Sequence, residues 1–321
     1  MLKVVPLSTV IPYYERWIKT FPAIQDVAMA DEQKILKMWQ GLGYYQRAKN
    51  FHKAAQIIKN KHHGKIPNRY EDLKTLPGFG PYTIGAILSI AFDKRYPIID
   101  ANIRRVGMRL LGIQGNADTS QDKVIFGFLD QCMPKRNLRV FNQALMELGA
   151  LVCRSKEPLC SVCPVKNVCR AFHEGHQEII PTPKIKTITT LDVVIGIIQR
   201  DEKYFIQKRS SKGLLADLWE FPGGEIKKGE TKKQAIFRKF KEELNIELIS
   251  NQYLMSLKHF YTRYKINLHV FLCCPKVYPT EQKYRKWVSL QHFSRYPMPS
   301  GSARIVDHLM ASRRATLLKI V

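Results

Sequence analysis

The sequence predicts two unlike domains, an all-α domain followed by an α/β domain. Three observations carry that prediction. Apolar residues recur at helical spacing through the first half, with no strand-like alternation before a cysteine cluster at 153–169. From 176 to 190, Pro181, Pro183 and the lysines and threonines around them have the texture of an extended linker. β-Branched apolar runs begin directly after it. The expected boundaries are therefore 1–175, 176–190 and 191–321, and 321 residues suffice for each domain to bury a core.

Each element has its own warrant. Asp31 can cap a helix whose Ile35, Leu36, Met38 and Trp39 share one side, stopped near Gly41 and Gly43. A second helix carries Phe51, Ala54, Ala55, Ile57 and Ile58 and ends before Gly64 and Pro67. Thr83 to Phe92 reads as a small apolar helix, and Asp100 stands before Ile103, Val106 and Leu110, again at helical spacing. In the second half, Leu191 to Ile198, Lys203 to Lys208 and Leu268 to Cys273 read as strands. A Gly-Gly turn at 223–224 leads to a charged helix from Lys232 to Leu244.

Composition narrows the function. Lys and Arg total 52 against 27 Asp and Glu, a formal net charge of +25, which is commonly the footprint of a polyanion partner. A merely lysine-rich, highly soluble protein is the plainer alternative. Membrane-surface binding is disfavoured, because no basic amphipathic helix with an aromatic face is present. No apolar run approaches the roughly 20 residues that span a bilayer, and the first residues lack a secretory core, so an intracellular protein is expected.

The seven cysteines do not form a disulfide pattern, because the number is odd and four crowd together. Cys153, Cys160, Cys163 and Cys169 follow a C-x6-C-x2-C-x5-C spacing. Four thiolates so close suit zinc or an iron–sulfur cluster, and a zinc ribbon usually pairs two Cys-x-x-Cys units where this chain has one. Leu76-Pro-Gly-Phe-Gly-Pro-Tyr-Thr-Ile-Gly-Ala separates two helical patterns. The freedom of Gly78 and Gly80 to adopt positive φ lets backbone N–H groups point outward together beside a helix start, a grip for a phosphate. Asp100, in Ile-Ile-Asp-Ala-Asn-Ile-Arg-Arg-Val, reads first as an N-cap. A capping carboxylate is held ionised and fixed in direction, as needed beside a sugar that gains positive charge when its base departs.

These motifs, with Gly41-Leu-Gly-Tyr-Tyr-Gln-Arg-Ala-Lys-Asn and Phe141-Asn-Gln-Ala-Leu-Met-Glu-Leu-Gly-Ala, resemble the MutY-type adenine DNA glycosylases of the helix–hairpin–helix superfamily. The resemblance implies an all-α helix–hairpin–helix glycosylase domain with an iron–sulfur loop, then an α/β Nudix-like domain. It implies a [4Fe-4S] cluster on Cys153, Cys160, Cys163 and Cys169, and duplex DNA with A:8-oxoguanine or A:G mispairs as partner. The protein would act as a monomer in base excision repair, in a bacterial cytoplasm at the nucleoid. Asp100 would stabilise the sugar cation, Gly78 and Gly80 would hold the backbone, Tyr44 would wedge into the duplex, and Gln143 would contact the extruded adenine. Tyr82 stands where endonuclease III-like enzymes carry a Schiff-base lysine, so base removal without strong strand cleavage is expected.

Two departures from the family pattern qualify this. Family members carry a general-acid glutamate two residues before a Met-Leu-Gln-Gln-Thr stretch; Met1-Leu2 aligns with its start, Lys3, Val4 and Val5 replace the rest, and Pro6 would break or kink that helix. The glutamate position thus precedes Met1, and Glu15 and Glu147 do not fit the motif, so a rate loss on the order of 10²–10⁴ is expected for this chain. In the second domain Gly224, Glu230, Arg238, Glu242 and Glu243 keep Nudix-box spacing, but Lys239 replaces the first metal-binding glutamate, which argues against hydrolase activity. Tyr261-Thr262-Arg263 matches the family's Phe-Ser-His loop, with the Thr262 hydroxyl placed to bond the lesion's edge. The rival readings are a catalytically inactive DNA-binding remnant, a Nudix-type hydrolase and an endonuclease III-like pyrimidine glycosylase.

Overall fold

The computed structural model describes residues 7–183, 188–261 and 263–318. The chain divides into two compact units, Met1–Gln56 with Lys186–Val321, and Ile57–Ile185. Lys3, Val4, Val5, Pro6 and Thr262, singled out above, lie outside the described residues.

The first 56 residues carry helices α1 (Leu7–Thr20), α2 (Ile24–Met29), α3 (Glu32–Trp39) and the start of α4 (Tyr45–Lys61). Asp31 caps α3 as its position suggests, its Oδ1 accepting from Gln33 N at 2.7 Å. Trp17, Phe21, Ile35, Leu36 and Trp39 are buried together, and Leu218 of the α/β segment joins the same core. Polar contacts continue the docking. Trp219 Nε1 donates to Gln33 Oε1 at 3.0 Å, the Tyr45 hydroxyl donates to Met298 O at 3.2 Å, and Lys37 Nζ donates to Tyr296 O at 3.0 Å. Lys49, only 7% exposed, is paired with Asp217. The sequence reading joined these residues to the helical domain; shared burial groups them instead with the α/β segment.

The second unit holds the end of α4 and α5 (Tyr70–Lys74), α6 (Pro81–Ala86), α7 (Ala101–Leu111), α8 (Asp122–Cys132), α9 (Leu138–Glu147) and α10 (Arg170–His173). The single helix expected over 83–92 is divided. After α6 the ladder widens into a π-helical turn, Ile87–Ala91, where Phe92 N reaches back five residues to Ile87 O. Ile98, Ile103, Met108, Ile125, Leu129 and Ile180 form the core. Ile180 belongs to the stretch expected to be linker. It is 1% exposed, and Thr182 N donates to Gly115 O at 2.8 Å, so residues up to 182 pack against this unit.

The α/β segment runs β1 (Thr189–Ile197), β2 (Gln199–Arg200), β3 (Lys203–Lys208), β4 (Trp219–Glu220), β5 (Gly223–Glu225), α11 (Lys232–Leu244), β6 (Leu248–Tyr261), β7 (Tyr264–Pro275), β8 (Arg285–Ser289) and α12 (Ser300–Leu318). One sheet has the order β5-β1-β7-β6, with β1 and β7 parallel and the other pairs antiparallel. β3 is the centre of the second, paired to β2, β4 and β8. Gly223 and Gly224, expected in a turn, are strand residues facing Ile195 and Val194. Alternation along β1 feeds two cores, Val194 with Phe240 beneath α11 and Ile195 with Ile305 of α12. Gly196 is required there, since a Cβ would lie 2.2 Å from Phe240. Among the described residues no helix is long and apolar enough to cross a membrane.

Candidate active site and thiol cluster

The helical unit builds its site around α7. Asp100 is the N-cap, with Oδ1 accepting from Ile103 N at 2.7 Å, so the carboxylate direction is fixed by the backbone it caps. Tyr82, on α6, lies close enough that the Asp100 carboxylate, after burial, raises its hydroxyl pKa. Two motifs separated in sequence therefore meet. The hairpin between α5 and α6 places Gly78 at φ +79°, in the left-handed region, and opens the next helix with Gly80 as N-cap and Pro81 following. Gly80 has φ −82°, so the positive φ expected of both glycines is found only at Gly78. Gly80 is exposed and a Cβ there would meet nothing within 4 Å, which leaves its backbone open to approach. Gln143 is exposed on α9.

Three residues that sequence reasoning did not single out hold this arrangement. Asn142 is fully buried; its Oδ1 accepts from Ile98 N at 3.0 Å and its Nδ2 donates to Tyr96 O at 3.1 Å, which pins the segment leading into Asp100. Arg105 Nε donates to Cys153 O at 2.9 Å, and its Nη2 donates to Asn102 Oδ1 at 3.1 Å. Arg109, 2% exposed, gives Nη1 to Arg154 O at 2.6 Å and to Cys153 Sγ at 3.2 Å, while its Nε donates to Ile180 O at 2.7 Å. Gly149 lets α7 approach closely, as a Cβ there would stand 2.7 Å from Asn102 Cβ. Asn142 and Gly149 both lie in the 141–150 motif, and that was the available signal.

Cys153, Cys160, Cys163 and Cys169 line one small cavity with Arg109, and none is in a disulfide. Burial, then the neighbouring thiols, pushes the Cys160 thiol up; burial also raises Cys169 against the Phe172 N–H that favours its thiolate. Among the described residues no three His, Cys, Asp or Glu side chains converge to hold a metal ion. Four thiols around one void, beside a buried guanidinium, are a soft sulfur donor set of the kind that zinc or an iron–sulfur cluster takes.

The other unit holds the remaining candidates. Tyr44, with φ +48°, is 41% exposed, and Arg47 lies 5.1 Å over its ring. Tyr261 ends β6 at the β6–β7 hairpin; burial, then the nearby Tyr44 hydroxyl, raises its pKa. Tyr44 and Tyr261 thus influence each other electrostatically although more than 200 residues separate them in sequence. On α11, Arg238 binds Glu230 at 2.6 Å and Glu242 at 2.9 Å, while Lys239 Nζ lies 3.5 Å from Glu242 and 3.6 Å from Glu243. The box carboxylates are each matched to a cation of the chain itself.

A family model described as HhH-GPD superfamily base excision DNA repair protein matches residues 5–126, and one described as NUDIX domain matches 193–308. The chain is 30% identical over 315 residues to the adenine DNA glycosylase of Buchnera aphidicola subsp. Acyrthosiphon pisum, covering 96% of this chain and 87% of that protein. It is 32% identical over 317 residues to the adenine DNA glycosylase of Schizosaccharomyces pombe, covering 84% of this chain and 68% of that one. Among solved structures, a thermostable thymine-DNA glycosylase is similar with TM-score 0.48 and 26% identity, over 52% of this chain and 77% of that chain.

Proposed function

Because this chain belongs to the adenine DNA glycosylase family, we propose that it hydrolyses the N-glycosidic bond of adenine mispaired with 8-oxoguanine or guanine in duplex DNA. The observation that carries the reading is Asp100, fixed as the cap of α7 beside Tyr82 and approached by a segment that Asn142 pins. When the base departs with the C–N electron pair, positive charge develops at the sugar's C1′ and O4′. A carboxylate whose direction is fixed by the Ile103 N–H it accepts from stabilises that charge without reorganising at the moment of reaction. Water then adds to C1′, and the proton it loses balances the one taken up by the departing adenine, which leaves as the neutral base. Tyr82 has no amine with which to form an imine, so the sugar–phosphate strand is left uncleaved.

The hairpin around Gly78 and Gly80 would hold the backbone, and Gln143 on α9 would meet the extruded adenine. Tyr44 would fill the duplex beside the extruded base, with Tyr261 and Thr262 reading its partner; the electrostatic influence of Tyr44 on Tyr261 supports a shared task. Cys153, Cys160, Cys163 and Cys169 would hold a [4Fe-4S] cluster, which when bound supplies a structural clamp on the loop. Arg109 would then offset negative charge at Cys153. Lys239, standing where a metal-binding glutamate would be and within 3.6 Å of both Glu242 and Glu243, supports recognition rather than phosphate hydrolysis by the α/β segment.

A substrate panel tests the activity. Duplexes with A:8-oxoguanine or A:G should release free adenine and leave an intact abasic strand, and borohydride should trap no covalent complex. Release of a pyrimidine, or a trapped imine, would replace this reading with the endonuclease III-like one. Iron and acid-labile sulfide in the purified chain, lost together in Cys163→Ser, test the cluster; zinc alone would refute it.

A further inference from the structure

Tyr44 stands in a turn of uncommon backbone. Gly41 has φ +103°, Gly43 φ +70° and Tyr44 itself φ +48°. For a tyrosine a positive φ is rare, and it persists only where the surroundings over-determine it. What holds the turn is one residue of the α/β segment, gripped from both of the turn's ends. Gln40, just before the turn, accepts at Oε1 from Met298 N at 3.0 Å. Tyr45, just after it, donates its hydroxyl to Met298 O at 3.2 Å. Both backbone polar groups of Met298 are thus bonded to side chains that bracket the wedge.

Each grip is itself held. Lys37 Nζ donates to Gln40 Oε1 at 3.1 Å and to Tyr296 O at 3.0 Å. Gly41 N donates to the Tyr45 hydroxyl at 3.4 Å, and Trp39 Nε1 closes the turn on Gly43 O at 2.9 Å. Further along α4, buried Lys49 pairs with Asp217. Met298 suits the part of an anchor. It is 2% exposed and shares a core with Phe221 and Ile305. Pro297 and Pro299 flank it, so both neighbours have a fixed φ and its N–H is the only one that the three residues offer. Trp219 N ties the segment further by donating to Pro297 O at 2.8 Å. Burial pushes the Tyr45 hydroxyl up to about 12 against the Gly41 N–H, with Tyr13 and Tyr261 adding to the rise, so it stays a donor at neutral pH. A satisfied network of this kind rigidifies what it joins.

We propose that Gln40 and Tyr45 are positioning residues for Tyr44: by clasping Met298 they seat the turn 41–44 on the α/β segment and so set how strongly the chain prefers a duplex with an A:8-oxoguanine pair to a matched one. The inference rests on the wedge role proposed for Tyr44 and does not involve adenine removal.

Equilibrium binding of the full chain, followed by fluorescence anisotropy, tests it on a duplex with one A:8-oxoguanine pair and the same duplex with A:T in its place. Tyr45→Phe and Gln40→Leu should each lower the preference about fivefold, the worth of one buried hydrogen bond. Gln40→Glu keeps the acceptor and should keep the preference. In a Tyr44→Ala background, Tyr45→Phe should change the preference no further, because its effect passes through Tyr44. An unchanged preference in both Tyr45→Phe and Gln40→Leu, an equal loss of affinity for both duplexes, or a full additional loss in the Tyr44→Ala background would each overturn the proposal. The measurement needs no turnover, so a chain that releases no adenine still tests the clasp, and a failed clasp leaves the glycosylase reading standing.

Discussion

Asp100 has one side chain and two partners to satisfy, the backbone it caps and the sugar it would face. Replacing it separates the two. Asn still accepts at an N-cap but carries no charge, so Asp100→Asn should keep the melting temperature within about 1 kcal/mol of stability while adenine release falls by about 10²–10³. An equal loss of stability and rate would mean the carboxylate serves the fold alone. Asn142 is the converse case, a residue that touches no substrate in this account. Asn142→Ala strands the Ile98 N–H and should cost about 1–3 kcal/mol, read by denaturant midpoint, and slow the reaction only through Asp100's displacement. Glu230 gives a pH test. Arg238 and the Lys227 N–H hold its pKa down to about 2 from 4.5. Its contribution is therefore present above pH 4.5 and is lost as pH falls toward 2, so wild type and Glu230→Gln should differ in stability at neutral pH and converge at about pH 2.

At the scale of elements, the ends of helices were legible and their far partners were not. Asp31, Asp100 and the bounds Lys232–Leu244 could be read because caps and helical spacing are local. The pinning by Asn142, the Arg109 contacts to the cysteine loop and the packing of Ile180 join residues 44 to 71 positions apart, and no local pattern encodes such pairings. The Gly223–Gly224 strand departs from the expected turn for a related reason: the dipeptide is turn chemistry in isolation, and only its ladder with Val194 and Ile195 makes it a strand. α7 shows how an element gathers a site. One helix presents Asp100 at its start and Arg105 and Arg109 along its length, so the carboxylate and the thiol loop share a scaffold.

For the molecule as a whole, the charge of +25 means that phosphate neutralisation should dominate DNA affinity. Duplex binding should weaken steeply and linearly on a log–log plot against salt, by about 0.9 per phosphate contacted, and an affinity indifferent to salt would contradict the polyanion reading. The linear order of the sequence suggested a boundary near 176, yet the first 56 residues share a core with the α/β segment, because Leu218, Trp219 and Met298 find their partners there. That grouping is what brings Tyr44 within electrostatic reach of Tyr261. The most direct measurement is single-turnover release of adenine from a duplex with one A:8-oxoguanine pair, comparing this chain with Asp100→Asn. Adenine release by the chain and its near loss in the variant are expected; no release from the chain, with lesion-selective binding intact, would leave a DNA-binding protein in place of an enzyme.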